Sequence, residues 1–170
     1  MGFFKAKYHV RAFIEKIMLK LIYKYKLKIG KNVTWRRNFI VMIDTMGRII
    51  IGDDCFFNNN CSLNANNYIE IGAGSIFGED VKIYDHNHRF NNREKNIKGQ
   101  GFSNGEVKIG TNCWIGSNVV ILKGATISNN CVIGAGTVIK GYVPEYTIVK
   151  TMNQYNYEKI KSLTTVENGG

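Results

Sequence analysis

Two of the chain's three histidines stand two residues apart in the stretch IYDHNHRF, residues 83–90, directly after an aspartate. Imidazole titrates close to neutral pH, so His86 and His88 can each take up or release a proton there. The second nitrogen of such a ring is usually held by an acceptor, and Asp85, Glu106 or a backbone carbonyl is available. An H-x-H pair can instead provide two ligands to a metal ion.

A six-residue period surrounds these histidines. From Ile51 the chain reads IGDDCF and FNNNCS, and from Ile109 it reads IGTNCW, IGSNVV, ILKGAT, ISNNCV and IGAGTV. This period fits neither an amphipathic helix nor an alternating hairpin strand. It is typical of a parallel β-helix, in which stacked coils bury one continuous column of apolar side chains. Gly and Asn at the second to fourth positions favour the left-handed corners between its faces.

The hexads predict which side chains point inward. Each begins with a large apolar residue, and the small or β-branched fifth residue should also be buried. All four cysteines (Cys55, Cys61, Cys113 and Cys131) are fifth residues, and no C-x-x-C pair is present, so we expect buried, reduced packing residues. In IYDHNH the same rule places Ile83 and Asn87 inside and turns His86 and His88 outward.

Composition limits the possible partners. The 170 residues suffice for one domain, and the net charge of +10 is concentrated in residues 1–31, which hold nine Lys or Arg and one Glu. This distribution argues against a nucleic-acid surface spread over the domain. Lysines interrupt the apolar N-terminal segment, so no signal sequence or membrane span is predicted, and we expect a cytoplasmic protein.

An amphipathic helix is predicted from about residue 5 to residue 26, because apolar residues recur there at steps of three and four opposite Lys16, Lys20 and Lys24. Two uses compete. The helix can cap the open end of the solenoid or pack between subunits, or it can lie in a membrane interface through residues 1–26. We expect capping or subunit packing, with peripheral membrane contact as the alternative.

Three stretches resemble the hexapeptide-repeat acetyltransferases, specifically the acetyl-CoA-dependent sugar and xenobiotic O-acetyltransferases. They are IYDHNHRF (83–90), KIGTNCWIGSNVVILKGATI (108–127) and VIGAGTVIKGYVPEYTIV (132–149). The resemblance implies a mainly β fold, a left-handed parallel β-helix over residues 29–149. An N-terminal helix (1–28) precedes it and a partly helical tail (150–170) follows. Residues 89–106 break the repeat and resemble the family's protruding loop. The resemblance also implies a homotrimer with active sites between neighbouring subunits.

The resemblance assigns roles to individual residues. It implies that His88 is the general base, with His86 and Asp85 as possible supports, and that the Ser117 amide stabilises the oxyanion. Acetyl-CoA would lie along Trp114, Gly116, Ser117, Gly134, Ala135 and Lys140. The acceptor would meet Asn58 and Asn66, although some members have an acid where Asn66 stands.

These observations predict an O-acetyltransferase that acetylates a hydroxyl of a sugar or surface-polysaccharide precursor, without a metal. Amino-sugar N-acetylation and acetylation of a xenobiotic are alternatives within the family. A metal-dependent hydratase of the same fold would need a third histidine, and the remaining one, His9, lies on the predicted helix. A noncatalytic solenoid scaffold would leave the histidine pair and the loop without a purpose.

Overall fold

The structure, a computed structural model, describes residues 2–151, and side chains from residue 9 onward. Helix α1 (Gly2–Tyr23) leads through a 3₁₀ turn (Lys24–Lys26) into six stacked coils. The first three coils contain β1 (Leu27–Ile29), β2 (Thr34–Trp35), β3 (Ile40–Ile43), β4 (Arg48–Ile51), β5 (Phe56–Phe57), β6 (Ser62–Ala65), β7 (Tyr68–Ile71), β8 (Ile76–Phe77) and β9 (Lys82–Tyr84). An excursion follows, with β10 (His86–His88), a 3₁₀ helix (Ile97–Gln100) and β11 (Phe102–Asn104).

The last three coils contain β12 (Glu106–Ile109), β13 (Trp114–Ile115), β14 (Val120–Ile121), β15 (Thr126–Ile127), β16 (Val132–Ile133), β17 (Val138–Ile139), β18 (Tyr142–Val143) and β19 (Ile148–Val149). Equivalent strands pair in parallel to form three faces: sheet A (β1-β4-β7-β12-β15-β18), sheet B (β2-β5-β8-β13-β16-β19) and sheet C (β3-β6-β9-β14-β17). The predicted parallel β-helix is therefore confirmed, and its hexads correspond to successive strand-and-corner units.

Two of the three corners hold most of the predicted site residues. The B–C corner joins sheet B to sheet C and comprises residues 36–39, 58–61, 78–81, 116–119 and 134–137. The C–A corner joins sheet C to the next coil and comprises residues 44–47, 66–67, 85–105, 122–125 and 140–141. The excursion that contains both histidines of interest is thus an enlarged C–A corner.

The core is one apolar column along the axis, because the inward residue of each strand lies in register with those of the coils beside it. Sheet B begins this column with an aromatic stack, in which Phe57 and Phe77 lie 4.4 Å apart between ring centroids and Phe39 joins Phe57 to Trp35. All four cysteines are buried and unpaired, as predicted.

Short polar residues form the corners, as the repeat predicts. Eight Asn or Asp residues there have φ between 53° and 62°, a left-handed conformation that these side chains tolerate better than most: Asn32, Asn38, Asp54, Asn60, Asp80, Asn112, Asn118 and Asn130. Several also stack, since the Asn112 amide donates to Asn130 Oδ1 on the next coil at 2.9 Å. Coil stacking therefore uses polar ladders outside as well as the apolar column inside.

Helix α1 packs on the first coil. Trp35 Nε1 donates to Glu15 Oε2 at 2.6 Å, and Tyr23 Oη donates to the Val41 carbonyl at 2.9 Å. Ala12 is buried in this contact and Leu19 packs against the core. The contact uses a different face from the apolar stripe on which the helix was predicted, and that stripe remains exposed.

Within residues 2–151, the structure contains no helix that is long and apolar enough to cross a bilayer. The predicted C-terminal tail, residues 150–170, lies outside the described residues except for Lys150 and Thr151.

Candidate active site

Asp85 anchors the start of the excursion. Its carboxylate is completely buried and accepts the backbone N–H groups of Asn66 at 2.8 Å and Asn67 at 2.7 Å, on the coil below. It also lies 2.9 Å from His86 Nδ1. Because an ionised carboxylate can only accept, it holds the Nδ1 proton and leaves Nε2 of His86 free to contact a ligand.

The prediction that Asn87 points inward is wrong. Asn87 is exposed, and Asp85 occupies the buried position instead. The hexad rule assumes that the chain stays in the coil through residue 88. The chain actually leaves the coil after β9, because the Asp85 carboxylate turns back to bond two amides and β10 pairs antiparallel with β11.

His88 lies at the exposed end of β10, and its ring packs against Phe102 with the centroids 4.5 Å apart. The same phenylalanine meets His86 edge to face, with the centroids 5.0 Å apart and an interplanar angle of 83°. The two imidazoles therefore share one side of the excursion, as predicted, and Phe102 lies between them. Asp85 fixes the His86 ring by its hydrogen bond. His86 packs against Phe102, and Phe102 in turn packs against His88.

The two histidines line different grooves. His86 faces a groove whose other wall includes Asn66, Asn64, Tyr23 and Met42. His88 lines a shallow hollow together with Arg89, Ser103 and Lys123. Asn66, a predicted acceptor residue, is thus next to His86 on the groove side of the C–A corner.

Lys123 and Phe102 were not predicted. The Lys123 ammonium donates to Ser103 Oγ at 2.6 Å, so the lysine bridges the coil above to the excursion. A side chain at residue 105 would collide with the Lys123 stem, since a Cβ there would lie 2.5 Å from Cγ, so glycine leaves room for it. Their contacts join residues 14 to 20 positions apart, which no local pattern in the sequence shows.

The excursion is held by its own hydrogen bonds. Gln100 accepts the backbone N–H of Asn92 and donates to the carbonyl of Lys95, both at 2.9 Å. Asn96 caps the 3₁₀ helix by accepting the Gly99 N–H at 2.7 Å. These bonds give the loop a defined shape, as expected of a segment that closes a site.

The predicted cofactor residues lie mostly at the other corner. Trp114, in sheet B, is 56% exposed, and Gly116 and Ser117 follow it into the B–C corner, with Gly134 and Ala135 stacked on the next coil. A Cβ at residue 116 would approach the Ala135 nitrogen to 2.6 Å, so this glycine allows the two coils to lie close together.

Two backbone amides are available there. On most other coils a side chain from the next coil caps the corner amide: Asn59 accepts from Arg37, and Ser117 Oγ accepts from Glu79. Ala135 stands above Ser117 on the next coil, and its methyl side chain cannot accept the Ser117 N–H. Within the described residues, the N–H groups of Ser117 and Ala135 therefore have no intramolecular partner. Unpaired, outward N–H groups between closely packed turns suit an amide- and phosphate-bearing ligand such as coenzyme A.

The remaining predicted residues are divided between the corners. Lys140 lies at the C–A corner, two coils above the excursion, rather than beside Ser117. Asn58 lies at the B–C corner, where its Oδ1 accepts from Arg36 and from the Asn59 N–H. A single chain does not bring together the histidine pair and the free amides, because sheet C separates the two corners.

The cysteines do not contribute nucleophiles. Burial raises the pKa of the Cys61 thiol to about 11 and also raises the pKa values of Cys55 and Cys113, so their thiolates are scarce at neutral pH. Among the described residues, no group of three or more His, Cys, Asp or Glu is placed to hold a metal ion.

Comparison with known proteins identifies the family. Residues 106–141 match the family described as bacterial transferase hexapeptide (six repeats). A putative lipopolysaccharide biosynthesis O-acetyl transferase of Escherichia coli K12 is 30% identical over 150 residues, which cover 78% of this chain and 74% of that protein. The chain belongs to the hexapeptide-repeat acetyltransferases.

Solved structures of similar fold are acetyltransferases as well. A maltose O-acetyltransferase from Clostridium difficile 630 is 30% identical, with a TM-score of 0.61 over 76% of this chain and 67% of that one. A hexapeptide-repeat acetyltransferase from Vibrio cholerae, solved with acetyl-CoA, is 25% identical, with a TM-score of 0.65 over 79% of this chain and 71% of that one. The fold is accordingly the left-handed form of the β-helix. Some relatives are longer: the chain spans 34% of a probable acetyltransferase from Mycobacterium tuberculosis.

Proposed function

We propose that this chain transfers an acetyl group from acetyl-CoA to a hydroxyl of a sugar or surface-polysaccharide precursor, with His88 as general base. The observation that carries the proposal is the fixed series Asp85–His86–Phe102–His88, which presents the exposed His88 imidazole at the base of the excursion. The names of the Escherichia coli and Clostridium difficile proteins support a sugar hydroxyl as acceptor.

Each residue has a defined task in this proposal. An alcohol is a weak nucleophile at neutral pH, so His88 takes its proton as the oxygen attacks and returns that proton to the departing thiolate of coenzyme A. The Ser117 N–H stabilises the negative charge that develops on the carbonyl oxygen. Acetyl-CoA supplies the activated thioester, held by the Ser117 and Ala135 amides and the Trp114 surface. His86 and Asp85 position the base.

We propose that the active site is completed by a second copy of the chain, in a homotrimer. The histidines occupy the C–A corner and the free amides occupy the B–C corner, on opposite edges of sheet C. Adjacent copies can place one copy's C–A corner against the next copy's B–C corner, which also brings Asn58 of one copy toward Asn66 of the other. The protruding loop would close this seam.

The hollow beside His88 favours an anionic acceptor. Arg89 and Lys123 contribute two positive charges, and the residues that line this hollow include no acid. The Lys123 ammonium is held by a neutral hydroxyl, so its charge is left to attract a phosphate or carboxylate on the precursor.

The test is thiol release from acetyl-CoA with a panel of sugars, sugar phosphates and amino sugars, together with His88→Ala and His86→Gln. We expect His88→Ala to lose roughly a hundredfold or more of turnover. His86→Gln, which keeps a donor toward Asp85, should lose much less. Near-parent turnover in His88→Ala, or a larger loss in His86→Gln, would transfer the role of base to His86.

The same assay separates the alternatives. Reaction with amino acceptors alone would make the chain an N-acetyltransferase. No thiol release with any acceptor, together with a stoichiometric transition metal in the purified protein, would favour the hydratase. Sedimentation mass measures the trimer, and a monomer with full activity would overturn the shared site.

A further inference from the structure

Helix α1 has an apolar face that the fold does not cover. Its side chains are 46% to 69% exposed, although all are large and apolar: Val10, Phe13, Ile14, Ile17, Met18, Leu21 and Ile22. We call these seven residues the outer face of α1. A contiguous apolar patch of this kind on a protein surface usually marks a binding surface.

The outer face cannot turn inward. At 3.6 residues per turn it lies opposite Ala12, Glu15, Leu19 and Tyr23, which form the contact with the first coil. The Glu15–Trp35 and Tyr23–Val41 hydrogen bonds fix this orientation at both ends of the contact. The outer face therefore points directly away from the β-helix.

Positive charge borders the outer face. Lys16 and Lys20 lie along one edge, one turn apart, and neither forms an ion pair with any side chain that the structure describes. Partial burial, and then the Lys20 charge, lower the pKa of Lys16. The segment 1–31 carries a net charge of +8.

We infer that the outer face of α1 docks this protein onto an anionic lipid surface. A second copy is a poorer occupant, because a symmetric contact would bring the two strongly positive segments together. A bilayer with acidic headgroups complements both properties at once: its acyl region receives the apolar stripe, and its phosphates receive the ammonium groups.

The proposed arrangement is an interfacial helix. α1 would lie parallel to the membrane plane with the outer face below the headgroups. The stems of Lys16 and Lys20 would extend along the apolar boundary, with their charged ends at the phosphates. The β-helix would then project from the surface through the Trp35 and Val41 contacts, and these contacts need not change on binding.

The experiment is co-sedimentation of the full chain with vesicles. We expect binding to equimolar phosphatidylcholine and phosphatidylglycerol, and little binding to phosphatidylcholine alone or at high salt. Ile17→Glu/Leu21→Glu should lose binding, whereas Val138→Glu, a matched exposed apolar residue in the fifth coil, should keep it. Lys16→Gln/Lys20→Gln leaves the apolar stripe intact and should weaken binding to acidic vesicles several-fold.

Circular dichroism and thiol release from acetyl-CoA would show that each variant is folded, since no residue of the outer face belongs to the proposed catalytic site. A parent chain that stays in the supernatant with acidic vesicles would overturn the inference. Equal binding by Ile17→Glu/Leu21→Glu would also overturn it. A fall in sedimentation mass in that variant, with no lipid binding by the parent, would show that the face joins copies instead.

Discussion

The B–C and C–A corners are built from the same repeat but treat their backbone amides differently. At the B–C corner the chain turns in four residues, and side chains of the next coil cap the outward amides of Arg37 and Glu79. At the C–A corner the third coil opens into residues 85–105 and exposes two imidazoles. One corner is closed and regular, and the other is open and irregular.

The difference shows where a regular solenoid can bind a ligand or expose a reactive side chain. The closed corner becomes available to a ligand only where a cap is missing, above Ser117, because Ala135 lacks an acceptor. The open corner is anchored by its buried carboxylate, which caps the coil below in the same manner, through Asn66 and Asn67. Removing the cap at the open corner should therefore destabilise it, and adding a cap at the closed corner should make its amide unavailable to a ligand.

Asp85→Ala removes the cap of the open corner and should have the largest effect. It leaves two backbone N–H groups and the His86 ring without their acceptor, so we expect a loss of about 3 kcal/mol in the free energy of unfolding. Turnover should also fall, because His86 no longer supports Phe102. Urea unfolding measures the first effect. Glu94→Ala, in the exposed part of the loop, is the control and should change stability little; an equally small change in Asp85→Ala would contradict this account.

Ala135→Asn adds a cap to the closed corner. Its side chain should accept the Ser117 N–H, as Asn129 accepts that of Thr111 at 2.9 Å. Losing one donor to the cofactor should raise KM for acetyl-CoA by about tenfold, or ~1.4 kcal/mol. Steady-state kinetics over acetyl-CoA concentration measures this. Ala73→Asn makes the same change at the corner between sheets A and B and should leave KM unaltered.

Lys123→Met tests the charge at the open corner. The stem and its packing against Gly105 are kept, while the ammonium is lost. We expect kcat/KM for a sugar phosphate to fall about fivefold, ~1 kcal/mol, with little change for the neutral sugar. Lys82→Met, which removes an exposed ammonium from sheet C, serves as control. An equal fall for both acceptors would show that Lys123 acts on the reaction or the loop instead of on acceptor charge.

The smallest effect at neutral pH concerns Cys61, at the closed corner. Burial raises its pKa from 9.0 to about 11, so the folded state keeps a proton that the unfolded state has released between these values. Stability should therefore fall as pH rises from about 9 to 11, by at most ~1.4 kcal/mol per pH unit for this group. Comparing urea unfolding of the parent and Cys61→Ala across that range isolates it; identical slopes would show that the thiol does not contribute.

The sequence predicts the regular part of the molecule well. The hexads predict the stacked coils, the burial of all four cysteines and the left-handed Asn corners, because each follows from a repeat of six residues. The prediction is wrong where the period ends: Asn87 was placed inside, and Asp85 lies there instead. No local rule shows that a carboxylate will turn back to cap the preceding coil.

Only part of the candidate site could be predicted from the sequence. The histidine pair and the glycines were predicted by type and spacing, but their roles stay predictions. Phe102 and Lys123 were missed because they reach His88 from β11 and from the following coil. The helix was predicted from its apolar stripe, yet the side that packs is the other one, since Glu15 finds a partner in Trp35.

The excursion is fastened to three successive coils: below through Asn66 and Asn67, within its own coil through the Gly105 N–H to the Asp85 carbonyl at 2.7 Å, and above through Lys123. Repeat proteins fray from their ends, since each unit is stabilised only by its neighbours. Melting that starts at either terminus would reach these fastenings last. The histidine pair should accordingly be among the slowest regions to exchange or denature, even while outer coils open and close.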